Sequence, residues 1–107
     1  MKGRVMKKER INLTPGYCKD LNPHDKYYYI RDENCPGLWL RILPTGMKTW
    51  YYNYRPKNKS PIRIKLGRLE MLNPSQARKR VREIQGDITR GKDPFQRRKE
   101  WEEELTF

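Results

Sequence analysis

Residues 36–55, PGLWLRILPTGMKTWYYNYR, decide how this chain folds. Leu38, Leu40 and Ile42 alternate with Trp39 and Arg41. After the turn residues PTGM the alternation resumes, with Trp50, Tyr52 and Tyr54 set against Thr49, Tyr51, Asn53 and Arg55. Successive side chains of a strand point to opposite faces, so the stretch predicts two antiparallel strands, Leu38–Leu43 and Lys48–Arg55, around a tight turn. One face of this hairpin is apolar. The other mixes aromatic, cationic and amide groups, more chemistry than a merely wetted surface requires.

The flanking sequence supplies the rest of a small sheet. Tyr27 to Arg31 is a strand candidate whose place, as a fourth strand or an edge cover, stays open. Ile62 to Leu66, bounded by the loop PKNKSP, is a further strand with Ile62, Ile64 and Leu66 on the apolar side. Asn73 is a good helix N-cap, Pro74 suits the first helical position, and Gln76 completes a capping pattern. Ala77, Val81, Ile84 and Ile88 then form an apolar stripe that ends at Gly91. Gly86 costs that helix about 1 kcal/mol relative to Ala and is expected to mark close helix–sheet contact. Further upstream, Thr14 starts one short helical turn.

The expected fold is therefore α+β: a three- to four-stranded antiparallel sheet with one long helix packed on one face and a short N-terminal helical turn. Residues 1–12 are expected to be a basic flexible arm, residues 13–94 the folded domain, and residues 95–107, where Arg97, Arg98 and Lys99 give way to four Glu, a connecting helix or linker.

Charge narrows the function. The 107-residue chain holds 25 Lys and Arg against 13 Asp and Glu, a formal charge of +12, which favours a polyanionic partner. Between Asn34 and Leu69 stand Arg41, Lys48, Arg55, Lys57, Lys59, Arg63, Lys65 and Arg68, and no acid. Solvated faces normally mix both signs. The expected DNA-binding set is Trp39, Arg41, Lys48, Thr49, Tyr51, Asn53, Arg55, Lys57, Lys59, Arg63, Lys65 and Arg68. Arg can read guanine and Asn adenine in the major groove, while Lys, Thr and Tyr hold phosphates.

Other functions find less support. Cys18 and Cys35 fit no metal-ligand spacing and the one His is His24, which argues against a zinc site or a disulfide scaffold and fits a reducing cytoplasm. Asp20, Asp25, Asp32 and Glu33 could hold Mg²⁺ in a nuclease-like cluster, but turn and strand-end roles suit them better. Trp39 and Tyr51 could stack single-stranded RNA bases, the principal alternative to duplex DNA. No cofactor is expected. The apolar helix stripe is needed for the core, which leaves no amphipathic element for a membrane, and no signal or spanning segment is evident.

The same residues resemble a known family. Asp32 to Trp50 follows D-x-x-x-P-G-L-x-L-R-V-x-P-x-G-x-K-T-[WF]; a basic strand ends in Leu66–Gly67–Arg68; Leu72 to Arg78 follows L-[ST]-x-x-x-A-R, with Asn73 in place of Ser or Thr; and Gly91 to Pro94 gives G-x-D-P. Together, over residues 11–94, these resemble the N-terminal arm-type DNA-binding domain of phage-like tyrosine recombinases (integrases). The resemblance implies a sheet whose open face enters the major groove at arm-type sites during DNA integration and recombination. It also implies that this chain is a non-catalytic piece, with core-binding and catalytic domains further along the polypeptide and accessory DNA-bending proteins as partners. The catalytic motif set is not in this sequence: His24 begins no H-x-x-R box.

Overall fold

The computed structural model describes residues 10–105. The first nine residues of the expected arm, and Thr106 and Phe107 of the expected linker, lie outside the described residues. The elements in chain order are β1 (Arg10–Ile11), α1 (Pro15–Asp20), β2 (Tyr28–Asp32), β3 (Leu38–Ile42), β4 (Lys48–Tyr54), β5 (Ile62–Arg68), α2 (Pro74–Thr89) and α3 (Pro94–Leu105).

The architecture is α+β, as the sequence predicts, but the count differs. The sheet has five strands in the order β1-β2-β3-β4-β5, and it is mixed because β1 runs parallel to β2. Among the described residues there are three helices, α3 joining the expected long helix and short N-terminal turn. β1 escapes prediction because two residues at the end of a basic run carry no alternation. It is held by main-chain bonding, Glu33 N–H donating to the Ile11 carbonyl at 2.9 Å. α3 takes the helical alternative of the connecting helix or linker expected after residue 94.

Each element has a local cause. Thr14 caps α1 by accepting from Tyr17 N–H. Asn73 and Gln76 form a reciprocal capping box at α2, with bonds of 2.8 and 2.9 Å. Ala77, Val81 and Ile84 are fully buried, whereas Ile88 is only partly so, because Asp87 occupies the next inward position. Gly86 does not touch the sheet as expected: the nearest atom to a Cβ there would be the Arg90 guanidinium at 3.2 Å.

The core lies between the α2 stripe and one sheet face. Leu38, Leu40, Ile42, Trp50, Tyr52, Ile64 and Leu66 are buried as the alternation requires, joined by Ile30 and Leu13. Trp50 is wholly enclosed, and its indole N–H donates to the Leu72 carbonyl at 2.8 Å, which removes the cost of burying that donor. Asp32 and Arg78, both in the motifs quoted above, form a buried bridge. Arg78 donates to the two carboxylate oxygens at 2.8 and 2.9 Å, while Leu13 N–H donates to Asp32 and the Leu13 carbonyl accepts from Arg78. One carboxylate thereby ties the segment before α1, strand β2 and helix α2 together.

α3 is docked rather than extended. Trp101 is buried under Arg80, whose guanidinium lies 4.3 Å from the ring centre. Asp87, 3% exposed, accepts two bonds from Arg97 and one from Arg90. The Arg97 hydrogen bonds hold the Asp87 carboxyl below its ordinary value despite burial.

Candidate nucleic-acid interface

The sheet face turned away from α2 is ordered by cross-strand register into three rows. The central row runs Arg10, Arg31, Trp39, Tyr51, Lys65 across all five strands. One side of it is flanked by Tyr29, Arg41, Thr49 and Arg68, the other by Asn53 and Arg63. No row contains an acid. At the margin of this face Arg68 pairs with Glu70, 3.9 Å apart and exposed.

The aromatic groups sit at the centre and the cations lie over them. Tyr29 packs edge-on against Trp39 and Tyr51, with ring centres 5.2 and 6.5 Å apart. The guanidinium of Arg31 lies 5.1 Å from the Trp39 ring centre, and that of Arg41 lies 4.8 Å from Tyr51. Arg63 crosses the face to reach 4.8 Å from the Tyr29 ring and 5.5 Å from Trp39, and it donates to the Tyr29 hydroxyl at 2.6 Å. Each such contact at an exposed site is worth about 0.5–1 kcal/mol, enough to bias a flexible side chain and weak enough to exchange for a ligand. The Arg41 Nε is buried without a hydrogen-bond partner, so this group holds a donor that the protein itself does not satisfy.

The structure brings Trp39, Arg41, Thr49, Tyr51, Asn53, Arg63, Lys65 and Arg68 of the expected set onto this one face. Thr49 is 2% exposed, enclosed within its row. Arg55, Lys57 and Lys59 are exposed just beyond β4, at the end of the sheet where Asn53 and Arg63 lie. Lys48 is the exception. It pairs with Ile42 on the helix side, and its ammonium donates to the carbonyls of Cys18 and Lys19 at 2.9 Å, capping the C-terminus of α1. Its parity with Trp50 carried that signal in the sequence.

Arg68 reaches the open face only through an irregularity in β5. Trp50 pairs with Gly67 but Tyr51 pairs with Lys65, so Leu66 is surplus, and the strand bulges. Leu66 and Gly67 therefore both lie on the core side. Gly67 has φ +147°, and a Cβ there would come within 2.7 Å of the Leu72 side chain, so the position requires glycine.

Sequence reasoning missed Arg10, Tyr29 and Arg31. Their signal was the alternation within YYYIR, where Tyr28 and Ile30 are buried and Tyr29 and Arg31 are not, once β2 is taken as a full strand. Of the acids considered as metal ligands, Asp32 is committed to Arg78. Among the described residues no group of three or more His, Cys, Asp or Glu is placed to hold a metal ion, and no helix is long and apolar enough to cross a membrane.

Comparison with known proteins gives two matches. Residues 6–101 match the family model described as the arm DNA-binding domain. The prophage integrase IntZ of Escherichia coli (strain K12) is 35% identical over 94 residues, a match covering 84% of this chain and 23% of that protein. The chain thus spans less than a quarter of the length of this curated relative.

Proposed function

The chain belongs to the arm DNA-binding domain family, and from that premise we propose that its open sheet face enters the major groove of double-stranded DNA at arm-type sites during integration. The observation that carries this reading is the arrangement of the rows: cations at both margins, aromatic and amide groups between them, and no acid. Strands lie about 4.8 Å apart, so Arg31 on β2 and Lys65 on β5 are separated by roughly 14 Å, with Arg10 one strand further out on the two-residue β1. A B-DNA major groove is about 12 Å wide. Arg10 and Arg31 on one side, and Lys65 and Arg68 on the other, would then meet the two phosphate backbones, while Arg41, Asn53 and Arg63 reach base edges. Lys57 and Lys59 extend the phosphate contact beyond the sheet end. Trp39, Tyr51 and Arg55 complete the contact surface, while Thr49, enclosed in its row, supports it from beneath.

On this reading the chain is the non-catalytic, DNA-anchoring module of a tyrosine recombinase. The bond-breaking residues belong to domains elsewhere in the parent polypeptide, which works in the cytoplasm.

Fluorescence anisotropy with a labelled duplex, titrated across salt, tests the proposal. The four margin cations and two loop lysines give a log–log slope of roughly −5, near a thousandfold loss of affinity between 50 and 200 mM salt. The same measurement on single-stranded RNA addresses the principal alternative, in which Trp39 and Tyr51 stack bases. Tighter binding of the single strand than of any duplex would refute groove entry.

A further inference from the structure

Arg63 and Tyr29 come from opposite sides of the sheet, β5 and β2, yet they are joined directly. Arg63 donates through Nη1 to the Tyr29 hydroxyl at 2.6 Å, and its guanidinium plane rests near the rings of Tyr29 and Trp39. Nothing in the core needs this contact, since Arg63 is exposed and the residues beneath it are already packed. We propose that Tyr29 is a positioning residue for base recognition: it holds Arg63 so that one guanidinium edge is presented, already oriented, to a guanine in the groove. This inference rests on the groove-binding reading above.

The chemistry follows from the shape of the guanidinium. Its donors are arranged in fixed pairs, and bidentate recognition of guanine O6 and N7 needs two neighbouring N–H groups pointing the same way. Nη1 lies on the side of the group near Cδ, so occupying it leaves the Nε–Nη2 edge, a complete bidentate pair, unused. The Tyr29 and Trp39 rings limit rotation about the remaining side-chain torsions, and Tyr29 is in turn fixed edge-on against Trp39 and Tyr51. An arginine free in solvent loses much of its rotamer freedom on binding. One already held loses less, and this gain applies only where the partner base matches the presented edge. The effect is therefore on discrimination between sequences rather than on attraction to DNA in general.

The test is selection from a randomised duplex pool by the whole 107-residue chain, followed by salt titrations on the selected duplex and a scrambled one. Three proteins are compared: wild type, Arg63→Ala and Tyr29→Phe, the last keeping the ring and removing only the hydroxyl. The expected result is a guanine preference at one position that Arg63→Ala abolishes. Tyr29→Phe should reduce it about three- to tenfold at that same position, with melting temperature, salt slope and scrambled-duplex affinity unchanged. If Arg63→Ala abolishes the preference and Tyr29→Phe leaves it intact, the positioning role is overturned while groove binding stands. A Tyr29→Phe protein that weakens on all duplexes alike also overturns it, since that marks a general rather than a base-directed role. A wild type that binds duplexes without enriching any sequence overturns base recognition by Arg63 altogether, and one that binds no duplex removes the groove-binding reading itself.

Discussion

Replacing Asp32 by alanine should be among the most damaging single changes in this domain, although Asp32 lies on the side of the sheet away from the proposed DNA. The carboxylate is 1% exposed and accepts three hydrogen bonds, two from Arg78 and one from Leu13 N–H. Its removal leaves the Arg78 guanidinium, 19% exposed along the side chain, with only the Leu13 carbonyl as partner. Breaking a buried pair in this way costs about 3–5 kcal/mol. Partial access of Arg78 to water puts the expectation near 3–4 kcal/mol, against a total of about 5–15 kcal/mol for a domain of ordinary stability. With a urea m-value of about 1.5 kcal/mol/M, the unfolding midpoint should fall by roughly 2 M, read from tryptophan fluorescence. The double variant Asp32→Leu with Arg78→Met removes both charges, and it should be more stable than Asp32→Ala because no unpaired charge stays behind. The reasoning fails if Asp32→Ala lies within about 1 kcal/mol of wild type, or if the double variant loses the sum of the two single effects.

Other perturbations separate the roles assigned above. The depressed pKa of Asp87 means that its contribution to stability is complete above the ordinary value of 3.8 and is lost as pH falls from there through the lower folded value; Asp87→Asn should flatten that acid limb in pH-dependent melting. Lys48→Met should lower the melting temperature by removing the bonds to α1, about 1 kcal/mol in all, yet leave the DNA salt slope unchanged. Arg31→Ala should reduce that slope by about 0.9 on matched and scrambled duplex equally. Burial raises the Cys18 thiol to about 11 and also raises Cys35, so both thiols should resist a disulfide reagent at neutral pH in the native protein and react together on unfolding.

Much of this arrangement was legible in the sequence, for identifiable reasons. Strict alternation in β3 and β4 fixed which side chains share a face, and the Asn73–Gln76 pair marked the start of α2. The two-residue β1 lacked a pattern to read, and the Trp101 anchor of α3 was hidden among charged neighbours. Lys48 was misplaced by counting it as one more cation in an acid-free run, although alternation set it beside Ile42. The Arg63–Tyr29 contact joins residues 34 positions apart on strands that are not adjacent, so no local periodicity could announce it.

The surplus residue in β5 bears on how the chain tolerates changes in length. An ordinary strand cannot lose one residue without inverting everything beyond the cut. Here Leu66 and Gly67 share one orientation, so deleting Gly67 would leave a regular ladder with Lys65 and Arg68 still outward and Leu66 still inward. A one-residue gap when such chains are aligned is thus physically admissible at this point. Deleting Lys65 instead would put Leu66 in its outward place opposite Tyr51 and withdraw that side chain from the core.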